Sequence, residues 1–205
     1  WIRMVATNRL TGQSPGFFSV YTLPPNQAVS VEGQIRINRR LEQKPAYRNV
    51  RELVLRKSAQ LQSGLTAAER ERLRRAASHA RFLEGSAAST RAIGHNCVQL
   101  TVTSPPFLDV VQYAKDNWLR CWFNGLDAEE IGRRMTMLRN VEEWAAAMQS
   151  VFSELYRITR PGGWVAFEVG EVRRAELRLE EVVAPLGMAA GFDCEAVLIN
   201  TQQFT

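Results

Sequence analysis

"CVQLTVTSPPF", residues 97–107, is the stretch on which the fold turns. Val98, Leu100 and Val102 alternate with Gln99, Thr101 and Thr103, and β-branched side chains dominate, so the run reads as a strand. Pro105-Pro106 stops it, because proline has no N–H for a ladder and its ring fixes φ. A hydroxyl, two rigid rings and an aromatic side chain therefore sit together at the carboxyl end of a strand.

Reading downstream, "LDVVQYAKDNWLRCWFNGL" (108–126) is aromatic-rich and irregular in pattern. "DAEEIGRRMTML" (127–138) predicts a short helix capped by Asp127. In "NVEEWAAAMQSVFSELYRI" (140–158), Val141, Trp144, Ala145, Met148, Phe152, Leu155 and Ile158 form one apolar stripe behind an Asn140 cap with Glu143 completing a capping box. Pro161-Gly162-Gly163 then turns the chain into a second strand, "WVAFEVG" (164–170). "RLEEVVAPLGMAAGF" (178–192) reads as a helix interrupted at Pro185 and Gly187, and "CEAVLIN" (194–200) as a final strand. Strand, helix, strand, helix, strand predicts an α/β fold with a mostly parallel sheet and helices on both faces.

Upstream, the turn formers of "TGQSPGFFSVYTLPPNQAVS" (11–30) predict a surface loop held by Phe17, Phe18 and Tyr21. Helices follow at about 31–42, capped by Ser30, and from Arg48 to about Gln62, ended by Gly64. A further helix opens at Thr66, with Glu69 completing a capping box, and "EGSAASTRAIGHN" (84–96) is a small-residue connection. The 205 residues fit one large domain better than two. Residues 1–95 form a basic loop and helical segment, and residues 96–205 the strand-bearing segment.

The polar-Pro-Pro-aromatic unit resembles the catalytic motif of the DNA amino-methyltransferases, which methylate cytosine N4 or adenine N6 with S-adenosylmethionine. "VFSELYRITRPGGWVAFEVGE" (151–171) is similar to that family's helix, Pro-Gly-Gly turn and following strand. The resemblance implies a Rossmann-like methyltransferase fold, incomplete in this chain, and a flipped target base. It implies that Ser104 and the Pro105 carbonyl receive the amino group, with Pro106 stiffening the backbone and Phe107 stacking on the base. Serine at the first motif position is the form associated with cytosine N4.

Thr103 and His79 are the cofactor-side candidates on the same resemblance; His79 stands where relatives carry an aspartate that holds the cofactor's adenine, and Gln99 also replaces an Asp. The family's Gly-rich "PFxGSGT" turn is not found in residues 1–205, and is expected to precede Trp1 in a longer chain. Adenine N6, an RNA or protein amide nitrogen, and a catalytically silent nucleic-acid-binding subunit stand as alternatives.

The resemblance implies DNA as the partner, and the charge asymmetry by itself suggests contact with a polyanion or an Arg-rich solvated helix face without deciding between them. Residues 1–95 carry 16 Lys and Arg against 6 Asp and Glu, whereas residues 96–205 carry 10 against 15. Arg70, Arg72, Arg74 and Arg75 could track phosphates, and Tyr113, Asn117, Trp118 and Arg120 could border a base pocket; a solvated helix face and aromatic packing are the competing readings. Glu168 and Glu171 are further candidates at the end of the second strand, and His79 and His95 are read as structural rather than as bases. Cys97, Cys121 and Cys194 lack metal or disulfide spacing and read as buried thiols in a cytoplasmic protein, with no metal and no membrane span.

Overall fold

The computed structural model describes residues 1–12, 14–19, 30–44, 46–106, 113–135, 138, 140–170 and 178–199. Residues 1–80 with 112–135 form one compact unit, and residues 81–111 with 136–205 form a second. Among the described residues there are eight helices and a two-stranded parallel sheet, an α/β arrangement.

The first unit holds α1 (Ile2–Thr7), α2 (Val31–Arg40), α3 (Val50–Gln62), α4 (Ala67–His79), α5 (Tyr113–Asn124) and α6 (Ala128–Arg134). Its starts follow the local chemistry. The Ser30 hydroxyl accepts from the Gly33 amide at 3.1 Å, and Thr66 and Glu69 complete their reciprocal box. Asp127 accepts from the Glu129 and Glu130 amides. Val5, Ala6 and Val54 form a small core where α1 meets α3, with Phe18 packed against it.

Residues 113–124, expected to be irregular, are helical. The helix ends in a Schellman arrangement, with the Leu126 amide on the Cys121 carbonyl and the Gly125 amide on the Trp122 carbonyl. Gly125 takes φ +71°, which a side chain would resist. Asn124-Gly125-Leu126 is thus a stop signal that the crowd of aromatics conceals.

In the second unit the order is β1 (Val98–Thr103), α7 (Val141–Ile158), β2 (Thr159–Phe167) and α8 (Leu179–Ala190). The α7 stripe buries Trp144, Met148, Phe152, Leu155 and Ile158 with Leu179 and Val183 of α8. Asn140 accepts from the Glu142 and Glu143 amides as expected; no return bond from Glu143 occurs among the described residues. Val165 and Phe167 of β2 join this core, and the Phe152 and Phe167 rings lie 4.7 Å apart.

Two expectations fail here. α8 runs unbroken through Pro185 and Gly187, because Gly187 lies against the Phe152 ring and tertiary packing outweighs the lost backbone bond. Residues 192–199 form no strand; Leu198 is 93% exposed and has no ladder to join. Among the described residues the sheet is covered on one face only. Leu100, Val102 and Trp164 on the other face are exposed, so helices on both faces are not seen among the described residues.

The cysteines also depart from expectation. All three are free, but Cys97 and Cys194 are exposed and Cys121 is half-buried, because the strand expected to bury Cys194 does not form. Among the described residues no helix is long and apolar enough to cross a membrane.

Candidate functional site at the end of the first strand

β1 and β2 run parallel, pairing Leu100 with Trp164, Thr101 with Val165, Val102 with Ala166 and Thr103 with Phe167. The ladder closes where the Glu168 amide donates to the Thr103 carbonyl at 2.9 Å. Ser104 is the first residue beyond that bond. In open parallel sheets this end of the strands is where ligands bind.

Ser104 is exposed, and its hydroxyl has no hydrogen-bond partner among the described residues. Pro105 and Pro106 are half-buried. The Pro105 carbonyl is likewise unbonded, whereas the Pro106 carbonyl accepts from the Trp144 indole N–H at 3.4 Å. Trp144 is 3% exposed and belongs to the α7 core. The Ser104-Pro105-Pro106 unit is thus tied to α7 through Pro106, while Ser104 Oγ and the Pro105 carbonyl have no partner among the described residues. Phe107 lies outside the described residues, as does Glu171.

Three features hold β1 in place. The first is expected as a turn: Arg160-Pro161-Gly162-Gly163 instead lies inside β2, bulging out between the Val98–Thr159 and Leu100–Trp164 pairs. α7 therefore passes into β2 without a loop. Gly163 meets the Val98 carbonyl so closely that an added Cβ would lie 3.0 Å from it and 2.9 Å from the Arg160 carbonyl. The second feature is Gln99, whose amide donates to the Gly162 carbonyl at 3.3 Å across the bulge. Its role is structural here, which accounts for an amide at a position where a carboxylate could not donate.

The third feature gives no sequence signal beyond an acid and a base three residues apart on a helix. The Thr90 amide and hydroxyl both donate to the Glu154 carboxylate, and Arg157 donates to it at 2.7 Å. Arg157 also donates to the Thr90 and Ile93 carbonyls, and the Asn96 and Cys97 amides donate to the last carbonyls of α7. The Arg157 guanidinium, followed by the Thr90 hydroxyl, holds the Glu154 carboxyl well below the usual carboxylate range, against desolvation that acts the other way. The connection before β1 is therefore clamped to α7.

Most of the other candidates lie in the first unit. Arg70, Arg72, Arg74 and Arg75 are all exposed on α4, a helix without a buried residue. Arg72 and Arg74 make i,i+3 pairs with Glu69 and Glu71 at 3.9 and 3.2 Å. His79 is exposed at the last position of α4. Tyr113, Asn117, Trp118 and Arg120 are half-buried on α5, where Arg120 donates to Asn117 at 2.7 Å and Asn117 donates to the Tyr113 carbonyl at 3.0 Å. In the second unit, His95 is exposed before β1 and Glu168 is exposed at the end of β2.

Among the described residues neither strand leads into a Gly-rich turn: β1 runs into Ser-Pro-Pro and β2 into Glu168-Val169-Gly170. The Thr103 carbonyl is already engaged by Glu168. Among the described residues there is also no group of three side chains able to hold a metal ion. Compared with protein-family models, curated proteins and solved structures, the chain has no match.

Proposed function

We propose that the Ser104-Pro105-Pro106 unit holds the exocyclic amino group of a DNA base, cytosine N4 in the first instance, in an S-adenosylmethionine-dependent methyltransferase with a Rossmann-like fold. The observation that carries this reading is the pairing of two acceptors without a partner among the described residues, the Ser104 hydroxyl and the Pro105 carbonyl, on a backbone fixed by the Trp144–Pro106 bond. An amino nitrogen donating one N–H to each acceptor is immobilised, and its lone pair faces away from both. Stiff proline backbone means little entropy is lost on binding. Phe107 is the ring on which the base stacks.

The exposed arginines of α4 supply sequence-independent attraction for phosphates in this reading. Methyl transfer itself is assigned to positioning rather than to a strong base.

A second reading is favoured by one observation. Because no Gly-rich turn stands among the described residues, a catalytically silent nucleic-acid-binding subunit would also keep the Ser-Pro-Pro unit. Mass spectrometry of nucleosides, from DNA incubated with the intact protein and isotope-labelled S-adenosylmethionine, separates the two. Labelled N4-methylcytosine supports the enzyme. DNA binding without any labelled nucleoside supports the silent subunit.

A further inference from the structure

In the first unit α3 and α4 are joined by the short turn Ser63-Gly64-Leu65-Thr66. α3 is anchored, since Leu53 and Val54 are buried and Val54 belongs to the small core with Val5 and Ala6 of α1. α4 is not. It buries none of its 13 residues, and every residue from 70 to 79 is exposed. An unpacked helix of this length is marginal in water on its own.

The arginines of α4 do not share one face. With about 100° of rotation per residue, Arg70 and Arg74 stand in one row and Arg72 and Arg75 in another, roughly 150° apart around the axis. Each row has the same make-up. One arginine meets a glutamate, Arg74 with Glu71 at 3.2 Å and Arg72 with Glu69 at 3.9 Å. The other, Arg70 or Arg75, has no side-chain partner among the described residues. Ala67, Glu71 and Ser78 lie between the rows on the narrower side. Two of these side chains are short, so the helix axis can come close to whatever lies between the cationic rows.

We infer that α4 enters the major groove of duplex DNA. Arg70 and Arg74 then meet the phosphates of one strand, Arg72 and Arg75 those of the other, and Ala67, Glu71 and Ser78 face the base edges. The complement of two cationic rows is a slot with two anionic walls. The major groove of B-form DNA is such a slot: about 12 Å wide, it admits a helix about 10–12 Å in diameter, with a phosphate strand on either side. A helix laid along a single strand would use only one row, and the major groove of duplex RNA is too narrow to receive it. The inference rests on DNA as the partner in the reading above, and adds which form of DNA is bound and by which element.

The test is fluorescence anisotropy on the intact chain with three labelled probes. They are a mixed-sequence DNA duplex, the same duplex with every thymine replaced by glucosylated 5-hydroxymethyluracil, and duplex RNA of the same sequence. The added sugar fills the major groove and leaves the phosphates, the minor groove and every cytosine unmodified. The plain duplex is expected to bind saturably, and the other two about tenfold or more weaker. Two paired variants, Arg70→Gln with Arg74→Gln and Arg72→Gln with Arg75→Gln, put a good helix former at exposed positions, and circular dichroism checks their fold. Each pair is expected to lower the slope of log affinity against log salt by about 1–2, because each lost phosphate contact removes about 0.9. Equal affinity for the plain and glucosylated duplexes, RNA bound as tightly as DNA, or a slope that responds to one row or to neither would overturn the placement of α4 while DNA stays the partner. No saturable binding of the plain duplex would overturn both. Methyl transfer is read separately from labelled nucleosides, so its absence bears on the Ser104 reading and not on α4.

Discussion

The indole N–H of Trp144 donates to the carbonyl of Pro106 at 3.4 Å, joining the core of α7 to the end of β1. Of the carbonyls in the proline pair, that of Pro106 is occupied by the helix and that of Pro105 has no partner among the described residues. Trp144→Phe keeps a ring in the core and deletes the donor. The variant is expected to lose about 1–2 kcal/mol in urea unfolding, from the missing bond and the smaller ring together. If the bond positions the motif, methyl transfer falls further than the decrease in folded fraction explains.

The bulge in β2 makes a contrast between two adjacent glycines. Gly163→Ala places a Cβ 2.7 Å from Thr159 Cγ2 and against two carbonyl oxygens, and the oxygens belong to backbone that cannot move aside. About 1–3 kcal/mol of destabilisation is expected. Gly162 has φ +72° and open space around it, so Gly162→Ala should cost about 1–2 kcal/mol through backbone strain alone. Only the Gly163 variant should also disturb β1, visible as faster amide exchange at Leu100.

Glu154 gives a pH test. Its folded-state pKa is held below its ordinary value of 4.5 by Arg157 and Thr90. The stabilisation it provides is therefore complete above that ordinary value and is lost as pH falls below it, toward the folded-state pKa. Urea midpoints for the native chain should decline through that acid range. Glu154→Gln should be less stable at neutral pH and show a shallower decline on acidification. Parallel profiles for the two proteins would remove the clamp from the account.

The helix boundaries that carry caps are legible in the sequence, since Ser30, Thr66, Asp127 and Asn140 each accept the amides their chemistry calls for. So is β1, because alternation and a proline stop agree. What stays hidden depends on partners distant in sequence. Aromatic crowding obscures helix α5, and Pro185 reads as a break because the packing of Gly187 on Phe152 leaves no local trace. "CEAVLIN" has strand composition, but a strand requires a neighbour, and residues 192–199 have none among the described residues. At the site, Ser104 and the prolines are legible as a motif. Trp144, Glu154 and Arg157, which fix that motif in space, look like ordinary residues of an amphipathic helix.

The α4 arginines separate solvation from function. Reversing Arg72 and Arg75 to Glu should leave thermal stability within about 0.5 kcal/mol, because both side chains are exposed and the Arg72–Glu69 pair is weak. DNA affinity should fall, and the slope of log affinity against log salt should shrink by about 1 for every phosphate no longer engaged. An unchanged slope assigns these side chains to solvent.

The central claim is that the Ser104 hydroxyl and the Pro105 carbonyl receive an amino group, and single-turnover methylation of DNA by the intact protein and its Ser104→Ala variant tests it most directly. The account predicts that the variant keeps its fold and DNA affinity while the rate of N4-methylcytosine formation falls on the order of 100-fold or more. Equal rates in the two proteins would contradict it.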